Sequence, residues 1–117
     1  ATTLSISSGG YIAIGNGAGN PGTLTVASGG SLTTAGSAGG RLIVGTFANG
    51  TFNVDGTATF TAAAPLKLGY TGGNVVTSTT NLNAGGTLVT ATGLSIENAS
   101  ASTVANFNFR KARFSRT

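Results

Sequence analysis

GTLTVASGGSL, residues 22–32, holds two short pieces of alternating apolar residues. Leu24-Thr25-Val26 comes first, the second piece begins at Leu32, and Ser28-Gly29-Gly30 lies between them. In an extended chain successive side chains point to opposite faces. Leu24 and Val26 therefore share one face, and Thr23 and Thr25 the other. A strand this short has little stability alone. A Gly-Gly step allows a sharp change of direction, commonly at φ > 0. The stretch reads as strand, corner, strand.

Related stretches recur along the chain, so the repeat is the primary signal. An apolar pair, a small-residue corner and a further apolar position appear at residues 4–12, through Ser8-Gly9-Gly10, and again at residues 24–32. A weaker copy covers residues 52–60, through Gly56, and a shortened one covers 82–88, through Gly85-Gly86. An apolar pair followed by Gly appears in Ile12-Ala13-Ile14-Gly15, Leu42-Ile43-Val44-Gly45 and Leu66-Lys67-Leu68-Gly69. A Gly-led entry into a strand appears in Gly22-Thr23-Leu24-Thr25-Val26 and, 28 residues on, in Gly50-Thr51-Phe52-Asn53-Val54. Aligning Phe52 with Leu82 makes the next step 30 residues.

The period of ~20–30 residues holds two or three short strands. Leu, Ile and Val are expected inward. Thr, Ser and Asn are expected outward, where they can bind water or form ladders between repeats. No stretch combines a 3.6-residue period with good helix formers, so no helix is expected. Pro21 and Pro65 fall at bends, where a missing N–H is harmless. These features predict an all-β, right-handed parallel β-helix (β-solenoid) of about four to five coils, ~20–24 Å tall at ~4.8 Å per coil. Gly9, Gly10, Gly29, Gly30, Gly85 and Gly86 are its expected structural corners. An antiparallel sandwich is the competing fold, because Gly-Gly corners also suit hairpins. Recurrence of the whole three-part pattern favours the solenoid.

The 117 residues suffice for one modest core. Only 7% are charged, against ~25% in ordinary soluble domains. The regular spacing of the 39% hydrophobic residues argues against disorder. Gly, Ser, Thr and Asn interrupt every apolar run, so no membrane-spanning helix is expected. There is no Cys, which excludes disulfides and thiolate metal sites. The chain begins Ala1-Thr2-Thr3 without Met, a charged leader or a long apolar run, as expected where a signal peptide has been removed or a fragment taken. The net charge of +4 is concentrated. Arg41 and Lys67 balance Asp55 and Glu97, and the excess lies in Arg110, Lys111, Arg113 and Arg116.

GTLTVASGGSL, LIVGTFANGTFNVDG and NLNAGGTLVT resemble the repeats of bacterial autotransporter passenger domains and of PEP-CTERM-associated surface proteins. Residues 14–30 are the best copy, residues 44–56 the second, and the stretch from Leu68-Gly69 onward is degraded. The resemblance covers roughly residues 1–96 and is lost after Gly93. It implies an extracellular or cell-surface bacterial β-solenoid that serves as adhesin, spacer or matrix component. The repeat motif carries no catalytic residue.

Residues able to do chemistry are few. Gly17-Ala18-Gly19-Asn20-Pro21-Gly22 matches G-x-G-x-x-G, but a dinucleotide site needs a helix directly after it, and a strand is expected there. Asp55 and Glu97 are the only carboxylates, on different expected faces, so no acid/base pair is assigned and the chain is read as a non-enzyme. The Gly-rich turns carry Asn16, Asn20, Asn49 and Asn74 where a Ca²⁺-binding repeat needs Asp, so neither a metal nor a cofactor is assigned. Asn49-Gly50-Thr51 and Asn98-Ala99-Ser100 fit the N-glycosylation pattern, which chance also produces in such a composition.

The chain is expected to divide into solenoid repeats, residues 1–105, and a basic aromatic tail, residues 106–117. Asn106-Phe107-Asn108-Phe109-Arg110 alternates, so the tail should begin as a strand with both phenylalanines on one face. Basic and aromatic residues together can bind nucleic acid or an anionic membrane surface or glycan, but packing on the solenoid or on a neighbouring copy is the favoured reading. Thr3-Leu4-Ser5-Ile6 enters the pattern at once, leaving an uncapped edge where another copy can add. The expected function is a structural subunit that stacks head to tail into a surface or matrix filament, through Leu4, Ile6, Ile12 and Ile14 at one end and Phe107, Phe109, Arg110, Lys111, Arg113 and Phe114 at the other. Its partner would be further copies of itself, with no nucleic acid. The alternative is an adhesin fragment that binds a surface glycan through Thr/Asn faces or through Tyr11 and Tyr70.

Overall fold

The computed structural model describes residues 3–6, 11–34, 41–60, 66–68, 76–91, 95–96, 104–110 and 113–116, among which every regular element is a β-strand and none is a helix. The strands are β1 (Thr3–Ile6), β2 (Tyr11–Ile14), β3 (Gly22–Val26), β4 (Ser31–Thr34), β5 (Arg41–Val44), β6 (Gly50–Val54), β7 (Thr57–Phe60), β8 (Leu66–Leu68), β9 (Thr77–Leu82), β10 (Thr87–Thr90), β11 (Ser95–Ile96), β12 (Val104–Phe109) and β13 (Arg113–Arg116). They form three sheets, ordered β1-β4-β7-β10-β13, β2-β5-β8-β11 and β3-β6-β9-β12. The chain thus visits the three sheets in strict rotation.

All pairings between these strands are parallel. That removes the antiparallel sandwich as a description of the described residues. The Gly-led entries match in register, with Gly22 beside Gly50 and Gly50 beside Ser78. The three copies of the apolar pair followed by Gly mark β2, β5 and β8 of one sheet.

Two details of the expected repeat are corrected. Leu82 lies beside Val54, not Phe52, whose partner is Thr80. Matching apolar residues passes over Thr80 because a hydroxyl stands where an aliphatic group is expected, yet Thr80 is fully buried. The copies at residues 4–12 and 24–32 also differ in phase. The first joins β1 to β2, the second joins β3 to β4, and β1 itself pairs with β4.

The core draws on all three sheets. Leu32, Ala58, Phe60 and Leu88 come from the first, Ile14, Leu42, Val44, Leu66 and Leu68 from the second, and Val26, Phe52, Val54 and Leu82 from the third. Phe52 and Phe60 meet edge to face with ring centroids 6.3 Å apart. Such a pair contributes roughly 0.5–1.5 kcal/mol beyond its burial. Parallel sheets covered on both faces read as continuous apolar runs. Here β6, β9, β4 and β10 instead alternate buried with half-buried residues, because only the inner face is enclosed. The inner face is not wholly apolar, since Thr34, Ser78, Thr80 and Thr90 are buried as well. Among the described residues, Ser78 Oγ, Thr80 Oγ1 and Thr90 Oγ1 have no hydrogen-bond partner.

The corner quoted first, residues 27–30, links the third sheet to the first. Gly29 has φ +79° and open space around its Cα, so it is needed for its backbone angle. Gly30 has ordinary φ and is needed for a different reason: a Cβ there would lie 2.9 Å from the Ala27 carbonyl oxygen. The corner at Gly85-Gly86 repeats the division, with φ +83° at Gly85 and the Val54 carbonyl crowding Gly86. Gly9 and Gly10 lie outside the described residues.

Candidate assembly interface

The outer face of the third sheet carries a line of side-chain hydrogen bonds from strand to strand. Asn53 Nδ2 donates to Thr25 Oγ1 at 3.3 Å, Asn81 Nδ2 to Asn53 Oδ1 at 2.8 Å, and Asn108 Nδ2 to Asn81 Oδ1 at 2.8 Å. The bonded residues are 28, 28 and 27 positions apart. Each carboxamide donates toward its N-terminal neighbour, and Asn53 and Asn81 also accept from the C-terminal one, so the line has a direction. Asn83 Nδ2 donates to Asp55 Oδ1 at 2.8 Å one corner away. The sequence predicted outward polar ladders, but the choice of Asn53, Asn81 and Asn108 needed the register.

The line ends on two sheet edges. Thr25 lies on β3 and Asn108 on β12, the outer strands of this sheet. Beneath them the apolar inner residues are only partly covered. Ile12 and Leu24 at one edge, and Ala105 and Phe107 at the other, are partly buried and pack against the core. Phe109 is 58% exposed, and its ring lies 4.7 Å from that of Phe107. Val104, at the start of the same strand, is exposed.

The sequence-predicted assembly residues therefore fall on several strands. Ile12 and Ile14 belong to β2, with Ile14 buried and Ile12 half-buried. Leu4 and Ile6 belong to β1, the outer strand of the first sheet. Phe107 and Phe109 belong to β12, which pairs along its whole length with β9 of the same chain. Arg110 follows it, exposed, and its N–H donates to the Leu82 carbonyl at 2.9 Å. Arg113 and Phe114 belong to β13, where Phe114 is in register with Leu88. Residues 104–109 and 113–116 thus continue the ladders of the body, and β12 runs across the expected boundary at residues 105 and 106. Lys111 lies outside the described residues, as do Tyr70, Asn74, Glu97 and Asn98.

Nothing chemical gathers elsewhere among the described residues. They hold no group of three or more metal-ligating side chains. The G-x-G-x-x-G match is followed by strand β3. No described helix is long and apolar enough to cross a membrane. One corner holds a shallow depression lined by Gly19, Pro21, Phe47, Ala48 and Asn49. Comparison of the chain with known families, curated proteins and solved structures gives no match.

Proposed function

We propose that the chain winds as a right-handed parallel β-solenoid of four to five coils, and that this solenoid is a non-enzymatic structural subunit stacking head to tail into an extracellular filament of a bacterial surface or matrix. The strict rotation through three parallel sheets supports the winding. So does size: five strands at ~4.8 Å spacing span about 20 Å, close to the short dimension of 34 × 31 × 22 Å.

The observation that carries the assembly reading is the directional line of hydrogen bonds and its two open ends. Asn108 Oδ1 can accept one more hydrogen bond, and the Thr25 hydroxyl can donate one. A second copy placed with β3 against β12 joins these two groups and keeps every strand parallel, provided that its β1 takes the place β13 holds beside β10 in the single chain. The same step covers Phe109, Leu24 and Ile12. A contact between different surfaces on the two copies does not close, so it propagates. The near-neutral body imposes little repulsion between copies.

Phe109→Asp tests this reading. It places a charge at the proposed junction while changing a side chain already largely exposed. Light scattering of the native chain should rise with concentration, and the variant should stay monomeric with unchanged circular dichroism. A native chain that is monomeric at millimolar concentration removes the polymer reading and leaves the glycan-binding adhesin in its place.

A further inference from the structure

We propose that Asn49 is an N-glycosylation site whose first sugar packs against the ring of Phe47. The pattern Asn49-Gly50-Thr51 alone is weak evidence, since it arises by chance in an Asn/Thr-rich chain. Four structural features separate Asn49 from a chance match. It is exposed, on the corner between β5 and β6, where a bulky group meets no core. Its Oδ1 accepts the Thr77 N–H at 2.8 Å. That bond holds the carboxamide by its oxygen and makes no use of Nδ2, the atom to be modified. An N-linked amide keeps its carbonyl, so the bond survives modification.

Phe47 supplies the third feature. It stands two residues before Asn49 and is 41% exposed. Its backbone is clamped, because the N–H groups of Thr46, Phe47 and Ala48 all donate to the Gly15 carbonyl, at 3.3, 3.0 and 2.9 Å. The ring is therefore presented outward from a fixed corner. The fourth feature is space. Phe47 and Asn49 line one open depression with Gly19, Pro21 and Ala48, so a sugar on Asn49 has free space beside the Phe47 ring. The C–H face of a pyranose ring is apolar and packs on an aromatic face.

The donor would be a sugar activated as a nucleotide or lipid diphosphate. Asn49 Nδ2 attacks its anomeric carbon, the C–N bond forms, and the C–O bond to the diphosphate breaks. The diphosphate leaves with the electron pair. One Nδ2 proton passes to a base of the transferase and the other stays on nitrogen. None of the lining residues belongs to β12 or to the Thr25–Asn108 line, so this inference stands independently of the filament.

Trypsin cuts after Arg41 and Lys67, so residues 42–67 form one peptide that holds this pattern and not the one at Asn98. Mass spectrometry of that peptide, from the chain isolated from the cells that make it, should show a hexose or N-acetylhexosamine increment located on Asn49. An Asn49→Gln chain from the same cells should lack it. A peptide found only at its unmodified mass overturns the proposal. Removing the sugar should lower the melting temperature of the native chain by on the order of 4 °C. That loss should vanish in Phe47→Ala and persist in Phe47→Tyr, which keeps the ring. An equal loss in Phe47→Ala overturns the packing of sugar on Phe47.

Discussion

Leu82 and Phe109 occupy paired register positions on neighbouring strands, yet Leu82 is fully buried and Phe109 is 58% exposed. Leu82 has a strand on each side, β6 and β12, whereas β12 is the outer strand of its sheet. Size adds to the contrast. The column that ends at Phe109 is otherwise built from Val26, Val54 and Leu82, so an aromatic ring projects where a smaller group would not. Val26, on the opposite outer strand, is buried. Burial in this molecule is therefore set by neighbouring strands and by fit to the column, not by residue type. Among the described residues, two of the three exposed large hydrophobic side chains, Val104 and Phe109, lie on β12.

The sharpest way to break the comparison is to truncate one ring in each setting. Phe52→Ala removes a fully buried ring packed edge to face on Phe60 and should cost about 3–5 kcal/mol. Phe109→Ala should cost the monomer less than about 1 kcal/mol, while weakening self-association. Urea unfolding below the association threshold measures both. Comparable losses would mean that Phe109 is part of the monomer core.

The corners give the next largest effect. Gly29→Val and Gly85→Val force a β-branched residue to positive φ, at about 1–3 kcal/mol each. Gly29→Asn should recover most of that loss, because Asn tolerates the left-handed region. Gly30→Asn should be no better tolerated than Gly30→Val, since the obstacle there is the Ala27 carbonyl rather than φ. Thermal melts of the five variants separate the two causes, and equal recovery by Asn at both positions would show the distinction to be wrong.

Much of this was legible in the sequence. The Gly-led strands Gly22–Val26 and Gly50–Val54 have a spacing that survives unchanged as register. The role of Gly29-Gly30 as a corner follows from its place between two alternating pieces. What was not legible shares one physical origin. Thr and Ser pack inward at Thr34, Ser78, Thr80 and Thr90, and a reading by apolar positions misaligns wherever they occur. The outward line through Thr25, Asn53, Asn81 and Asn108 was hidden in the same way, because the outer face of the third sheet carries several interchangeable Thr and Asn residues and register alone selects four. The depression beside Phe47 depends on two corners distant in sequence, and only Asn49-Gly50-Thr51 hinted at it.

Smaller effects follow along that line. Asn81 makes two of its bonds and Asn108 makes one. Asn81→Ala should cost about 1–2 kcal/mol and Asn108→Ala about 0.5–1 kcal/mol in the monomer. Denaturant titration should preserve this order, and a reversal would remove the line as a source of stability. Thr80→Val should raise stability by up to about 1 kcal/mol, because it replaces a buried hydroxyl without a partner by a methyl of the same size. A loss on that substitution would reveal that the hydroxyl is satisfied.

Fibre diffraction from concentrated, aligned protein tests most directly whether β3 of one copy adds to β12 of the next. Head-to-tail stacking continues the parallel ladders along the filament, so a reflection near 4.8 Å is expected on the meridian. It should be lost in Phe109→Asp, which should yield no filaments to align. A native chain that forms no filaments, or filaments with the 4.8 Å reflection on the equator, would contradict stacking through these edges.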